Sequence, residues 1–219
     1  MVKVFVNHFS NTFVNSRDDH QGVKEFESVF PEILRDEFTY SVDIHEIEYG
    51  IAKLKLNKAS GIDGLMAEHI KYSHPALIVH LKLLFWLIMK FSFVPDDFGM
   101  GSIVPIIKDW HGDICSVDNY RPITISPVIS KLFELFLLEK FSGYFELDDL
   151  QFGFRKGLGC SHALFLLRQT IDHFTSHGSN VYVTTLDASK AFDRVNHFKL
   201  FTILNKSKVP KVFIRIIIN

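Results

Sequence analysis

Cysteine is scarce: Cys115 and Cys160 are the only two in 219 residues. A disulfide framework is thereby excluded, and the thiol content suits a reducing compartment. A secretory start is missing as well, because Met1 to Ser10 has no basic lead, apolar stretch and small-residue cleavage site in that order. No apolar run reaches the roughly 18 uninterrupted residues of a membrane span. The nearest candidate, Ala76 to Phe93, is broken by His80, Lys82 and Lys90 and reads as a buried core helix. Internal repeats and low-complexity tracts are absent. These absences exclude a secreted disulfide scaffold, a membrane protein and a solenoid, and they predict an intracellular chain. Net charge is nearly absent too, with 24 Lys+Arg against 25 Asp+Glu.

What is present is a core. The hydrophobic fraction is 47%, which excludes disorder over most of the length, and 22 phenylalanines predict a Phe-filled interior. A chain of this size buries roughly 70% of its unfolded surface and needs no covalent staple. The near-neutral charge is a cancellation. Residues 1–50 hold 4 basic and 10 acidic side chains, which reads as a solvated acidic lead-in. Residues 150–219 hold 10 basic and 3 acidic, net +7, and that is where an anion is drawn.

Periodicity sets out the elements. Ile44, Ile47, Ile51 and Leu54 form one helical stripe, opened by the capping-box variant Asp43-Ile-His-Glu46. A helical region follows over 65–90, with a break expected at His74-Pro75. Ser102 to Lys108 and Tyr120 to Ser126 read as strands, the first with Pro105 at an edge or bulge. A long helix runs from Pro127 with Val128, Ile129, Leu132, Phe133, Phe136, Leu137 and Phe141 inward. A glycine-rich connection, Gln151 to Gly159, leads to a helix near 162–174. Val181 to Leu186 is a β-branched strand ending at Asp187.

Chemistry concentrates near that end. Asp187 directly follows a strand, a position suited either to holding Mg²⁺ together with substrate phosphates or to capping the next turn. Asp193 lies six residues on, and Phe192 between the two acids either floors a pocket or fills core. Lys108, Arg121, Arg155, Lys156, Lys190 and Arg194 sit in or beside loops and strand ends. They are solvated surface charges or, taken together, contacts for a polyanion. The Gln151–Gly159 loop matches no P-loop or dinucleotide fingerprint, so it is a tight connection or a place where a nucleic-acid backbone approaches. Cys160, His162, His173 and His177 have no paired Cys-x-x-Cys and predict no zinc site. Cys160-Ser-His162 forms no nucleophile–base pair.

Five blocks, in order, resemble the reverse transcriptases of non-LTR (LINE-type) retrotransposons of the jockey and chicken-repeat kind. They are Leu54-Lys-Leu-Asn-Lys-Ala-Ser-Gly-Ile-Asp-Gly64; Ser102 to Asp109; Asn119-Tyr-Arg-Pro-Ile-Thr-Ile-Ser126 with Lys131-Leu-Phe-Glu134; Gln151-Phe-Gly-Phe-Arg-Lys-Gly157; and Leu186-Asp-Ala-Ser-Lys-Ala-Phe-Asp193. The resemblance covers roughly residues 40–219. It implies an α+β chain: an acidic lead-in at 1–40, a helix-rich fingers region with a small β element at 41–180, and the start of a palm at 181–219 with its first strand. It implies an RNA-directed DNA polymerase that takes an RNA template, a DNA primer and deoxynucleoside triphosphates, uses Mg²⁺, and works by two-metal nucleotidyl transfer. On this resemblance Asp187 is the first metal-binding aspartate, assisted by the backbone carbonyl of Ala188. Arg121 meets the incoming triphosphate, with Lys108 as a helper. Phe192 is the gate under the sugar, and Gln151, Arg155 and Lys156 lie along the template-primer. Asp193 is structural. Oligomeric state is not implied.

Departures qualify this. The family's second catalytic block, an aromatic-x-Asp-Asp, does not occur in these 219 residues; the three Asp-Asp pairs, at 18–19, 96–97 and 148–149, all precede Asp187. Phe98-Gly99 stands where the family has Trp-Lys, and Cys160-Ser161 where it has Ser-Thr or Thr-Thr. The expectation is a piece of a polymerase, truncated within the palm, that does not polymerise DNA alone. The alternatives are a non-catalytic nucleic-acid-binding remnant and a decayed element product. An RNA-directed RNA polymerase shares the palm layout, but the bulky Phe192 disfavours it. The unpartnered strand 181–186 leads us to expect the final 40 residues to be less well ordered than the middle.

Overall fold

The computed structural model describes residues 2–12, 20–35, 39–145, 147–188, 191–192 and 195–219. They fall into two compact units, one of residues 1–144 with 192–219 and one of residues 145–191. The predicted α+β character holds: helices dominate, with one two-stranded sheet among the described residues.

In the first unit, α3 (Ile44–Lys53) starts where the capping signal places it. The Asp43 carboxylate accepts from the His45 N–H at 3.1 Å, and Glu46 reaches back to the Asp43 N–H at 2.8 Å. Glu46 also pairs with Lys140 at 2.8 Å, which ties the start of α3 to the end of α7 (Val128–Phe141). The striped residues Ile47, Ile51 and Leu54 are buried. As expected, the helical region breaks at His74-Pro75 into α4 (Ala67–Lys71) and α5 (Ala76–Phe91). α5 is a core helix on one face only: Leu81, Phe85, Ile88 and Met89 are buried, while Val79, Leu83, Leu87 and Phe91 face solvent.

α7 supplies the largest share of the interior. Phe85 packs on Phe133 and Phe136 with ring centroids 4.9 and 5.5 Å apart, within the range of favourable aromatic pairing. The phenylalanine core is thus real but partial, since Phe154, Phe165 and Phe192 lie outside.

One expectation is overturned. The lead-in is more than solvated charge: α1 (Val2–Thr12) sets Phe5 edge-on against Tyr120 at 4.9 Å, and α2 (His20–Leu34) buries Gly22, Phe26 and Ile33. Those three are spaced by four and seven, so the acidic side chains share a helix with an apolar face that charge counting does not detect. Nearer the end of the chain, two helices add to the core. α9 (His197–Lys206) packs on α2, and α10 (Lys211–Ile218) packs on α2, α5 and α9, with Val212 and Ile214 fully buried. Among the described residues no second sheet forms, and these helices need none, because they bury their faces against other helices.

A short helix α6 (Asp96–Gly99) precedes the antiparallel hairpin of β1 (Ser102–Ile107) and β2 (Tyr120–Ile125). The predicted edge role of Pro105 is met by symmetry, since it lies opposite Pro122. The Lys108 N–H donates to the Asn119 carbonyl at 2.8 Å, which makes 108–119 a hydrogen-bonded pair. Alternation then makes 105–122 a non-bonded pair, so the two missing N–H groups face outward from the ladder and cost it nothing.

The second unit contains α8 (Cys160–Ser176), which has no buried residue. Val181 to Leu186 forms no strand; Tyr182 is 90% and Leu186 97% exposed. A strand exists only through a neighbour's backbone groups, and among the described residues none is offered. No described helix is long and apolar enough to cross a membrane.

Replacing Ile214 by Ala should destabilise the chain by about 2–5 kcal/mol through the cavity left in the α10 contact, whereas Leu164→Ala on exposed α8 should change stability by less than about 0.5 kcal/mol. Urea unfolding of both variants measures the contrast, and equal losses would contradict this core assignment.

Candidate nucleic-acid interface

The first block, 54–64, is a loop fastened at three points. Asn57 takes a left-handed turn (φ 56°), and its N–H donates to the Glu68 carboxylate from the start of α4. This bond holds the Glu68 carboxyl below the usual carboxylate range. Gly61 lies against the start of α7, where an added Cβ would sit 2.9 Å from the Pro127 backbone. Gly64 turns at φ 70°, a conformation with little cost only for glycine. Gly61 therefore has a packing reason and Gly64 a backbone one, both independent of any ligand.

On the hairpin, Ile106 pairs with Arg121 and Lys108 with Asn119, so Lys108 and Arg121 share one face as diagonal neighbours. The Lys108 ammonium donates to the Asp118 carbonyl at 2.6 Å and so turns toward the connecting loop. Asn119 braces that loop, with Nδ2 donating to the Asp109 carbonyl at 2.8 Å. Arg121 is exposed, and among the described residues nothing holds its guanidinium. Phe192, also in this unit, is 78% exposed, so it does not fill core.

The second unit carries the 151–157 loop. Arg155 folds back onto it: the guanidinium donates to the Asp148 and Asp149 carbonyls at 3.3 Å and pairs with the Asp149 carboxylate at 3.1 Å. Gln151 donates within the loop to the Gly153 carbonyl at 3.3 Å. Two of the three residues expected along a nucleic acid thus shape the loop, and Lys156 remains exposed. Phe154, which sequence reasoning passed over, is 87% exposed and held at φ 60°. A bulky side chain in the left-handed region is a strained position, and here the strain coincides with an aromatic ring at the loop surface beside Lys156. The only sequence signal was an aromatic between Gly153 and Arg155.

Asp187 and Ala188 are exposed on the unpaired segment, and Asp187 caps nothing among the described residues. Asp193, Lys190 and Arg194 lie outside the described residues. No group of three His, Cys, Asp or Glu able to hold a metal occurs among the described residues. A two-metal centre needs several carboxylates, and among the described residues Asp187 belongs to no group that fits one.

The profile of the reverse transcriptase (RNA-dependent DNA polymerase) family matches residues 108–219. The chain is 30% identical over 176 residues to the probable RNA-directed DNA polymerase from transposon BS of Drosophila melanogaster, covering 78% of this chain and 19% of that protein. It is 27% identical over 176 residues to the RNA-directed DNA polymerase from mobile element jockey of Drosophila funebris, with 78% and 19% covered. It is 30% identical over 161 residues to the corresponding protein of the X-element of Drosophila melanogaster, with 71% and 17% covered. The chain spans about a fifth of the length of these relatives.

Glu68 carries a pH dependence. Its lowered carboxyl pKa stabilises the fold above the ordinary carboxylate range, and that contribution fades as pH falls through the folded value. The stability gap between wild type and Glu68→Gln in urea unfolding should therefore stay level from pH 7 down to the ordinary carboxylate range and narrow only below it; a gap that stays constant below that range would contradict the bond to Asn57.

Proposed function

The chain belongs to the reverse transcriptase family, the RNA-dependent DNA polymerases, with non-LTR retrotransposon relatives, and on that premise we propose that it is the fingers region and palm start of such a polymerase. Residues 41–180 form the fingers region, residues 181–219 begin the palm, and residues 1–40 contain no separate domain. Reverse transcriptases bind a nucleic-acid template and nucleotides and use divalent metal ions. For the intact polymerase of which this chain is a part, the ligands are an RNA template, a DNA primer, deoxynucleoside triphosphates and Mg²⁺.

The observation that carries the reading is the family match over 108–219, which contains Lys108, Arg121, Gln151, Arg155, Lys156, Asp187, Ala188 and Phe192. In this reading Arg121, unengaged on the hairpin face, grips the triphosphate with its planar fork. Lys108 anchors the hairpin loop and adds positive potential. Gln151 and Arg155 hold the 151–157 loop in shape, and Lys156 and Phe154 present a cation and a stacking surface to the nucleic acid. Phe192 limits space at the sugar. Asp187, with the Ala188 carbonyl, supplies one part of a metal site whose remaining carboxylates come from a second catalytic block.

These 219 residues, lacking an aromatic-x-Asp-Asp, should make no DNA on an RNA template. A longer chain carrying that block should do so, and Asp187→Asn should abolish the synthesis. Equal synthesis by the mutant would sink the assignment. Phe154→Ala should weaken binding of single-stranded RNA to the 219-residue chain by about 5- to 100-fold, the range of one lost base stack, as read by fluorescence anisotropy; unchanged affinity would remove the loop from the interface.

A further inference from the structure

A second charged feature lies in the first unit, on residues not assigned above. The 54–66 segment and one side of α7 enclose a hollow of about 420 Å³, walled by Leu54, Leu65, Val128 and Leu135. That volume lies within the range of small-ligand pockets. Four lysines stand around it: Lys53, Lys55, Lys58 and Lys131. Lys53 is engaged, over the Tyr49 ring at 4.0 Å and 3.7 Å from Glu139. Among the described residues no carboxylate lies within ion-pair distance of Lys55, Lys58 or Lys131. Glu134 is the one acid lining the hollow, and burial pushes its carboxyl above the usual range, against the pull of Lys131. The Glu68 bond to Asn57 and the contact of Gly61 with Pro127 fix the wall that carries Lys55 and Lys58.

From this charge complementarity we infer that the hollow is a binding site for one nucleotide of a single-stranded polynucleotide, its base against the apolar wall and its flanking phosphates on Lys55 and Lys58. The inference rests on the reading of the chain as a nucleic-acid-handling reverse transcriptase fragment. Separated lysines around one hollow suit a ligand with an anion at every repeat. A fatty acid brings one carboxylate and leaves the others unmatched. The backbone term is electrostatic and independent of sequence, so this site adds affinity without selecting bases.

The test uses the 219-residue chain and a fluorescent 15-mer single-stranded RNA of mixed sequence. Lys55→Glu with Lys58→Glu should weaken binding at least about tenfold at low salt and flatten the log–log salt slope by about 1.4, the loss of two single-strand phosphate contacts. The thermal melting curve, followed by circular dichroism, should match wild type. Photocrosslinks from 4-thiouridine in the RNA should map to residues 53–66 or 128–138. Wild-type affinity and slope in the double variant overturn the site, as does binding of oleate in the hollow with RNA crosslinks elsewhere. If Phe154→Ala weakens binding and the lysine pair does not, this site fails and the polymerase reading stands. If wild type binds no RNA, both fail.

Discussion

The first unit depends on the seating of α10. Its residues Val212, Phe213, Ile214 and Ile216 bury a broad apolar face, and a short helix with such a face has no stable position in water by itself. It becomes stable by meeting α2, α5 and α9 together, with Phe213 against Phe141 of α7 at 5.2 Å. Arg215 orients this insertion. Its Nε donates to the Ser92 hydroxyl at 3.0 Å and a terminal nitrogen to the Ile33 carbonyl at 3.1 Å, binding the ends of α5 and α2 at once. Residues far apart in sequence thus share one interior, and the hairpin and the 54–64 loop are positioned on its surface.

Much of this was legible from local chemistry. The α3 start was set by Asp43 and Glu46, the α4–α5 break by Pro75, and the inner side of α7 by its apolar spacing. These features are decided within a few residues of themselves. What was misread depends on distant partners. Net charge concealed the apolar face of α2, because a helix with many acids still buries Phe26 and Ile33 once α9 and α10 arrive. The β-branched run 181–186 has the composition of a strand, yet composition supplies no second backbone to pair with.

The candidate interface divides the same way. The residue types and order of the blocks were visible, but not how each side chain is used. Arg155 and Lys156 are adjacent and chemically alike in sequence. In the structure Arg155 bonds its own loop and Lys156 stays exposed. Lys108 and Arg121 differ in the same manner on one face of the hairpin. A count of cations overstates those free for a ligand, since a guanidinium that satisfies nearby carbonyls has little left to offer. Phe154 was overlooked for the converse reason, because only the left-handed backbone turn distinguishes it from an ordinary apolar residue.

The close contact of Gly61 with Pro127 bears on how such sequences age. A substitution there collides with backbone and weakens the fold whether or not any DNA is made. Asp187, exposed and bonded to nothing among the described residues, can change without disturbing the fold. In a lineage released from selection on polymerisation but still purged of misfolding chains, the glycine outlasts the aspartate. The 54–64 block is accordingly a marker of ancestry and foldability, and an intact copy of it is no measure of whether a given element still copies itself.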